Sequence, residues 1–246
     1  MSSNIIRNIF RLPSLAAIIV LGAGMFVSGI SSVQAEPALI GTVLPNSPLA
    51  PQFSLVDQQN RQYALSSSLG KVVVLTVMYT HCTDVCPFIA SKLKDAADLL
   101  GTDGNKVDFV VITADPERDT PDLLSAYSKE FGMLDRWHFV TGSLQQLTPL
   151  WRAYNVEVTV DKDQIATYDS AEVADLESKG LNNGMTSADV NHALKVINLF
   201  GGGYDVDHGT PIIFIDLTGH IRVITDENVS PSDIVANARA LLAAGM

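Results

Sequence analysis

Apolar residues along the chain form two alternating patterns, short continuous runs and longer amphipathic stretches. The runs are rich in β-branched residues, which is typical of strands buried on both faces of a sheet, and they cover 71–79, 107–113, 137–140 and 211–217. In the stretches, apolar residues recur three and four positions apart, the spacing of a helix buried along one side; these cover 88–100, 121–131, 144–154 and 231–243. Strands that alternate with helices predict an α/β fold with a central sheet flanked by helices.

Turn and capping signals complete this outline. Residues 53–56 and 62–65 flank a polar turn at 57–60, which predicts an N-terminal hairpin, and a second hairpin joins 211–217 to 221–224 around Thr218 and Gly219. Thr120 and Ser143 are predicted N-caps. Antiparallel hairpins added to parallel strands make the predicted sheet a mixed one.

Residues 161–203 do not fit the alternation. This stretch holds seven acidic and three basic residues and ends in Gly201-Gly202-Gly203. We interpret it as an insertion before the last two strands, with one helix capped by Ser187 and running to Leu199 and a weaker helix at 171–179. A solvated surface elaboration is the first interpretation, and an element that docks a partner is the alternative.

The N-terminal segment has the pattern of a secretory signal. Arg7 and Arg11 precede an apolar run at 15–27, and the small-x-small sequence 33–35 resembles a cleavage site. We therefore expect residues 1–35 to be a signal peptide, 36–52 a linker and 53–246 the folded domain. An uncleaved membrane anchor is the alternative. Either way the folded domain is expected in the periplasm or another extracytoplasmic compartment, with a membrane association only if the segment is retained.

The net negative charge of the chain bears on whether it binds nucleic acid. The 246 residues carry a formal net charge of −11, and removal of residues 1–35 takes away only Arg7 and Arg11. An acidic protein of this kind repels phosphate backbones, so nucleic acid is excluded as a partner. At 47% hydrophobic residues, the chain is also unlike a disordered protein.

The two cysteines concentrate the candidate chemistry. Cys82 and Cys86 follow a predicted central strand and stand at the start of a helix, whose dipole favours thiolate. Were the segment helical, positions i and i+4 would place both sulfurs on one side. Two adjacent thiolates form a soft site that prefers Cu(I) or Zn. A structural disulfide or a pair of inert thiols is the alternative, although so small a loop would stabilise the fold little.

A metal held by two cysteines needs a further ligand from elsewhere. His208 is the best candidate, because it lies in a glycine-flanked loop just ahead of a strand, beside Asp207, which could orient its imidazole. Weaker candidates are His81, which strand alternation should turn away from Cys82, and Met185 in the insertion. The other three histidines are expected to pack or to face solvent, namely His138, His192 and His220.

Three segments together resemble the Sco/SenC family over roughly residues 53–242. They are Tyr79-Thr80-His81-Cys82-Thr83-Asp84-Val85-Cys86-Pro87, Asp115-Pro116-Glu117-Arg118-Asp119-Thr120-Pro121, and residues 204–208. The resemblance implies a thioredoxin-like fold and copper, as Cu(I) or Cu(II), bound by Cys82, Cys86 and His208. Asp84 and the segment 115–120 would shape the site without ligating. Thr83 replaces a proline that is common in the family, and Gly209 replaces a small hydroxyl residue.

Two functions follow from these residues. The first is a copper chaperone that delivers copper to the copper centre of cytochrome c oxidase or to another extracytoplasmic cuproprotein, kept reduced by a thioredoxin-like partner. The second is an enzyme, a thiol–disulfide oxidoreductase in which one of Cys82 and Cys86 attacks a partner's disulfide and the other resolves it. His208 separates them, because thiol exchange does not need it.

Overall fold

The computed structural model describes residues 38–165 and 170–245. The predicted signal segment, residues 1–35, lies outside the described residues. Within them there are ten strands: β1 Thr42–Val43, β2 Ser54–Asp57, β3 Gln62–Ala64, β4 Val72–Met78, β5 Val107–Thr113, β6 Trp137–Thr141, β7 Val158–Ile165, β8 Tyr204–His208, β9 Ile212–Ile215 and β10 Ile221–Thr225. The helices are α1 Cys86–Leu100, α2 Pro121–Glu130, α3 Leu144–Ala153, α4 Ser170–Asn182, α5 Ser187–Phe200 and α6 Pro231–Ala244.

Eight of these strands form one mixed sheet in the order β1-β10-β9-β4-β5-β6-β2-β3. The central strands β4, β5 and β6 are parallel, whereas β9 is antiparallel to β4 and the predicted hairpins β2–β3 and β9–β10 are present. All seven residues of β4 are buried, which explains why its sequence is apolar on both sides. The prediction of a mixed central sheet flanked by helices is confirmed.

Register aligns the ends of the central strands. Val72 pairs with Val107 at one end of β4 and β5, and Met78 pairs with Thr113 at the other. The loops that follow these two strands therefore leave the sheet side by side. Ligand sites of open α/β sheets form at this edge, beyond the carboxyl ends of the strands.

Residues 204–208 differ from the prediction. They form β8, which pairs with β7 in a separate antiparallel ribbon, instead of the expected loop. In this register Val158 faces His208, so His208 is the last residue of the ribbon. The sequences VTVDKDQI and YDVDH did not predict this ribbon, because both are mostly polar and their paired residues are 39 to 50 positions apart.

Helices α4 and α5 of the insertion are both present, with two corrections. The N-cap of α5 is Thr186, whose hydroxyl accepts a hydrogen bond from the amide of Asp189, and Ser187 is the first helical residue. Moreover, the two helices share a small apolar core with Phe88 of α1, formed by Leu176, Met185, Val190, Ala193 and Ile197. The interpretation as a solvated elaboration is therefore wrong for the side that faces α1.

Part of the predicted linker belongs to the sheet. Thr42 and Val43 pair with Ile224 and Val223 of β10. Ahead of them, the buried side chain of Asn237 accepts a hydrogen bond from the amide of Ile40 at 2.7 Å and donates one to its carbonyl at 2.8 Å. Among residues 38–165 and 170–245, no helix has the length and apolar content needed to span a membrane.

Candidate metal centre

The loop that carries the cysteines connects β4 to α1. Cys86 is the first residue of α1 and Pro87 the second, where the missing amide hydrogen of proline costs nothing. Cys82 lies in the non-helical loop before it. The sulfurs therefore meet through the loop, not through the i and i+4 spacing of a helix.

Both thiols are free and buried. The side chain of Cys86 is fully buried and Cys82 is 5% exposed. The Cys82 sulfur accepts a hydrogen bond from the amide of Asp84 at 3.4 Å, and the two cysteine side chains are in hydrogen-bond contact with each other. Burial, together with the neighbouring Cys82, raises the pKa of the Cys86 thiol well above its usual value. For Cys86 this effect opposes the helix dipole that the sequence suggested.

His208 lies against Cys86, although 122 positions separate them. Its Nε2 is 3.7 Å from the Cys86 sulfur, and its Nδ1 is 2.9 Å from the carbonyl oxygen of Gly209. A carbonyl can only accept, so Nδ1 carries the hydrogen and Nε2 of the neutral ring keeps its lone pair for the sulfur side. Burial lowers the pKa of His208, which favours this neutral form. The ring is oriented by the Gly209 carbonyl, not by Asp207 as expected.

Tyr79 forms one wall of the site. Its ring meets the His208 ring edge to face at 5.5 Å, and its hydroxyl donates to Asp205 at 3.1 Å. Burial, followed by the nearby cysteines, raises the pKa of Tyr79. Tyr79 belongs to the cysteine motif, but sequence patterns predicted no role for it. The signal available was its position as the first residue after a buried central strand.

The segment 115–120 ties the cysteine loop to the rest of the site. Asp119 is fully buried and accepts hydrogen bonds from the hydroxyls of Thr80 and Thr113, each at 2.6 Å, and from the Thr80 amide at 3.3 Å. These contacts join the ends of β4 and β5. Desolvation by burial raises the pKa of Asp119 to about 7.

Arg118 connects the same segment to the insertion. Its guanidinium pairs with Asp115, donates to the carbonyl of Gly202 at 2.9 Å and stacks on the ring of Tyr204 at 3.6 Å. The amide of Gly202 in turn donates to the carbonyl of His81 at 3.1 Å. The glycine turn that ends the insertion is thus bonded to both the cysteine loop and the segment 115–120.

The weaker ligand candidates lie elsewhere. His138 stacks on Tyr63 with a ring separation of 4.1 Å, and His192 packs edge to face on Phe131 at 5.2 Å. Met185 is buried in the small core between the insertion and α1. His81 bonds to the hydroxyl of Thr80, and His220 to that of Thr218. None of these contacts involves Cys82, Cys86 or His208.

The structure brings the three predicted residues together as neighbours. Cys86 contacts both Cys82 and His208, which gives two sulfurs and one imidazole nitrogen on one side of the molecule. In the described part of the chain, no group of three or more His, Cys, Asp or Glu side chains is already arranged around a metal position. Two soft thiol ligands and a neutral imidazole form a donor set suited to copper or zinc once the thiols lose their protons.

Comparison with known proteins identifies relatives of this chain. A putative copper-binding protein of Stutzerimonas stutzeri is 32% identical over 114 residues, covering 45% of this chain and 54% of the relative, so the match spans about half of that protein. A SCO2-like protein of Rickettsia felis is 29% identical over 171 residues, covering 66% of this chain and 79% of the relative.

A solved structure has the same fold. Bradyrhizobium japonicum ScoI with copper bound superposes with a TM-score of 0.58 at 22% identity, covering 78% of this chain and 99% of that protein. This likeness confirms the predicted thioredoxin-like α/β fold. The family model described as SCO1/SenC matches residues 42–176, more than half of the chain. The chain therefore belongs to the SCO1/SenC family.

Proposed function

We propose that this protein is an extracytoplasmic copper chaperone. It holds copper, as Cu(I) or Cu(II), through Cys82, Cys86 and His208 and transfers it to a cuproprotein such as the copper-bearing subunit of cytochrome c oxidase. The observation that carries the proposal is the 3.7 Å approach of His208 Nε2 to the Cys86 sulfur, with the lone pair of the neutral ring on that side. A copper-binding relative and a copper-bound structural neighbour also support it.

The chemistry of the residues fits copper as cargo. Thiolate and imidazole are the ligands that copper prefers in proteins, and both cysteines are free to supply thiolates. The raised pKa of Cys86 means that metal must compete with the thiol proton, so binding releases protons and weakens at low pH. A thioredoxin-like reductant in the same compartment would keep the pair reduced, because a disulfide between Cys82 and Cys86 has no thiolate to offer.

The positions of the three proposed ligands in the fold suit release of copper as well as its binding. The cysteines belong to the loop after β4, whereas His208 ends the separate β7–β8 ribbon. Ligands on two different elements can be separated by a movement of the ribbon against the sheet. An acceptor protein can then replace them one at a time by ligand exchange, a transfer that needs no general base.

The oxidoreductase alternative has weaker support. Attack on a partner's disulfide requires an accessible thiolate. Cys86 is fully buried with a raised pKa, and Cys82 is 5% exposed. A small metal ion can reach buried sulfurs. Thiol exchange instead requires that the disulfide of a second protein reach them.

Anaerobic copper titration of the reduced protein tests the proposal. We expect one Cu(I) per chain, bound tightly by the wild type. His208→Ala should weaken copper binding at least about 100-fold, more than the loss of a group that only supports a ligand, and should leave the rate of reaction with a small disulfide unchanged. Cys82→Ala should abolish tight binding.

His220→Ala is the matched control, because the side chain of His220 bonds to Thr218 within its own hairpin and the variant should keep wild-type affinity. Equal copper affinity of His208→Ala and wild type would overturn the three-ligand site. Absence of tight copper binding by the reduced wild type, together with rapid reduction of a protein disulfide, would favour the oxidoreductase.

A further inference from the structure

A cavity of about 160 Å³ lies between α1, α4 and the turn that follows β10. It is separate from the sulfur and imidazole atoms of the proposed copper site. Its lining consists of Val85, Phe88, Ile89, Lys92, Leu176, Lys179, Gly180, Asn183, Glu227 and Asn228.

Lys92 is the unusual member of this lining. The residue is 3% exposed, and its ammonium donates to the backbone carbonyl of Glu227 at 2.5 Å. It forms no ion pair with a carboxylate of the described residues. The Glu227 side chain accepts a hydrogen bond from the hydroxyl of Thr210 at 3.0 Å.

No carboxylate of the described residues lies within ion-pair distance of this buried ammonium, although Glu227 and Asp226 are near enough to stabilise its charge. It has three N–H donors, and a charge removed from water is costly unless it is paired and hydrogen-bonded. Burial lowers the pKa of Lys92 to about 8, with Glu227 and Asp226 acting in the opposite direction, so the group remains mostly charged at neutral pH. In the lining of a cavity, such an ammonium favours an anion with oxygen acceptors.

The other residues of the lining indicate the size and the apolar character of the rest of the ligand. Phe88, Ile89 and Leu176 are the apolar part of the lining, and the side-chain amide of Asn183 donates to Asn228 at 3.3 Å. Gly180 lets α4 approach closely, because a Cβ there would lie 2.9 Å from Val190 and 3.1 Å from Phe88. A cavity of this volume holds a molecule about the size of benzene, which matches a short aliphatic acid.

We propose that this cavity binds a short aliphatic monocarboxylate, with the carboxylate on Lys92 and the aliphatic tail against Phe88 and Leu176. The carboxylate belongs either to a free small acid or to the C-terminus of a polypeptide. Val85, which lies between Cys82 and Cys86 in the chain, forms part of the lining. Occupancy therefore places the ligand against the cysteine loop.

Titration of the purified protein with sodium butyrate tests this assignment. Butyramide, the uncharged isostere, and sodium chloride at equal ionic strength are the comparison solutes. We expect butyrate to shift the NMR signal of the Lys92 side chain and to raise the melting temperature with increasing concentration. Butyramide and sodium chloride should do neither.

Lys92→Met keeps the length of the side chain and removes its charge, and should lower butyrate affinity at least about tenfold because the charge-assisted bonds are lost. Lys94→Met on the same helix is the matched control, since Lys94 already pairs with Asp95 and Asp98. Equal responses to butyrate and butyramide in the wild type, or no response to butyrate, would overturn the proposal, as would unchanged affinity in Lys92→Met.

Binding of the tripeptide Ala-Ala-Val, compared with binding of butyrate, distinguishes the two sources of the carboxylate. Its free acid and its C-terminal amide differ only in the group that would meet Lys92. Tighter binding of the tripeptide acid than of butyrate identifies a polypeptide C-terminus, and tighter binding of butyrate identifies a free acid.

Discussion

At the scale of single residues, buried polar side chains hold the candidate site in place. Asp119 joins the ends of β4 and β5 through Thr80 and Thr113, and Gly209 fixes the tautomer of His208 through its carbonyl. The family resemblance assigned the segment 115–120 a supporting role, which agrees with these contacts. The hydrogen bonds themselves depend on strands that are far apart in sequence, so periodicity could not have found them.

Asp119 makes stability depend on pH in a definite direction. Its folded pKa of about 7 lies above the ordinary value of about 3.9 in an unfolded chain. Its stabilising contribution is therefore fully present below about pH 4 and is lost as the pH rises to about 7. Between pH 5 and pH 8 this loss amounts to about 2 to 3 kcal/mol. The amide of Asp119→Asn does not titrate. Between pH 5 and pH 8 the free energy of unfolding of this variant should therefore fall by about 2 to 3 kcal/mol less than that of the wild type.

Chemical denaturation at several pH values measures this difference. Asp216→Asn is the control, because hydrogen bonds hold the pKa of Asp216 below its usual value and its titration falls below this range. An Asp119→Asn variant with the same decline in stability as the wild type would show that Asp119 ionises normally in the folded protein.

At the scale of elements, the helices of the insertion brace the cysteine loop. Helix α5 packs on α1 through Ile197 and Val190, and the glycine turn after it bonds to His81 and Arg118. Sequence patterns predicted both helices because each is amphipathic. The patterns could not predict which surface these helices pack against. An apolar face shows that a partner surface exists but does not identify it.

Gly201 and Gly209 form a matched pair for testing this brace. A Cβ at Gly201 would lie 2.6 Å from the Ile197 carbonyl oxygen and 2.8 Å from Thr83, whereas the nearest atoms at Gly209 are 3.8 and 4.0 Å away. Gly201→Ala should therefore lower the free energy of unfolding by about 1 to 3 kcal/mol, and Gly209→Ala should change it by less than about 0.5 kcal/mol.

A second measurement locates the effect of the clash. Displacement of Thr83 should open the loop, so Cys82 in Gly201→Ala should react faster with a thiol reagent than Cys82 in the wild type or in Gly209→Ala. Equal stability and equal thiol reactivity of the two variants would show that the glycine turn does not constrain the loop.

At the scale of the whole molecule, the N-terminal lead-in is fastened to the sheet from Ile40 onward. Asn237 holds Ile40, and β1 pairs with β10. We propose that residues 1–35 are a signal peptide, so that removal after Ala35 leaves these contacts intact. The acidic body that remains suits the cation-carrying role proposed above.

Intact-mass measurement of the protein purified from its native compartment checks this boundary. We expect a mature chain that begins at Glu36, since small residues at 33 and 35 suit a signal peptidase. A chain that still begins at Met1 and partitions with membranes would instead support the uncleaved anchor, and the proposed copper site would then be held near a membrane surface.

The sequence by itself determined the order and kind of most elements and the family resemblance. Strand β5 and the start of α2 were predicted to the residue, because β-branched runs and a Thr120-Pro121 cap are local properties of a few neighbouring residues. Tertiary structure alone decided the β7–β8 ribbon, the orientation of the His208 ring toward the Cys86 sulfur and the raised pKa of the Cys86 thiol. These features arise from residues that meet only when the chain packs and excludes water, so no local pattern encodes them.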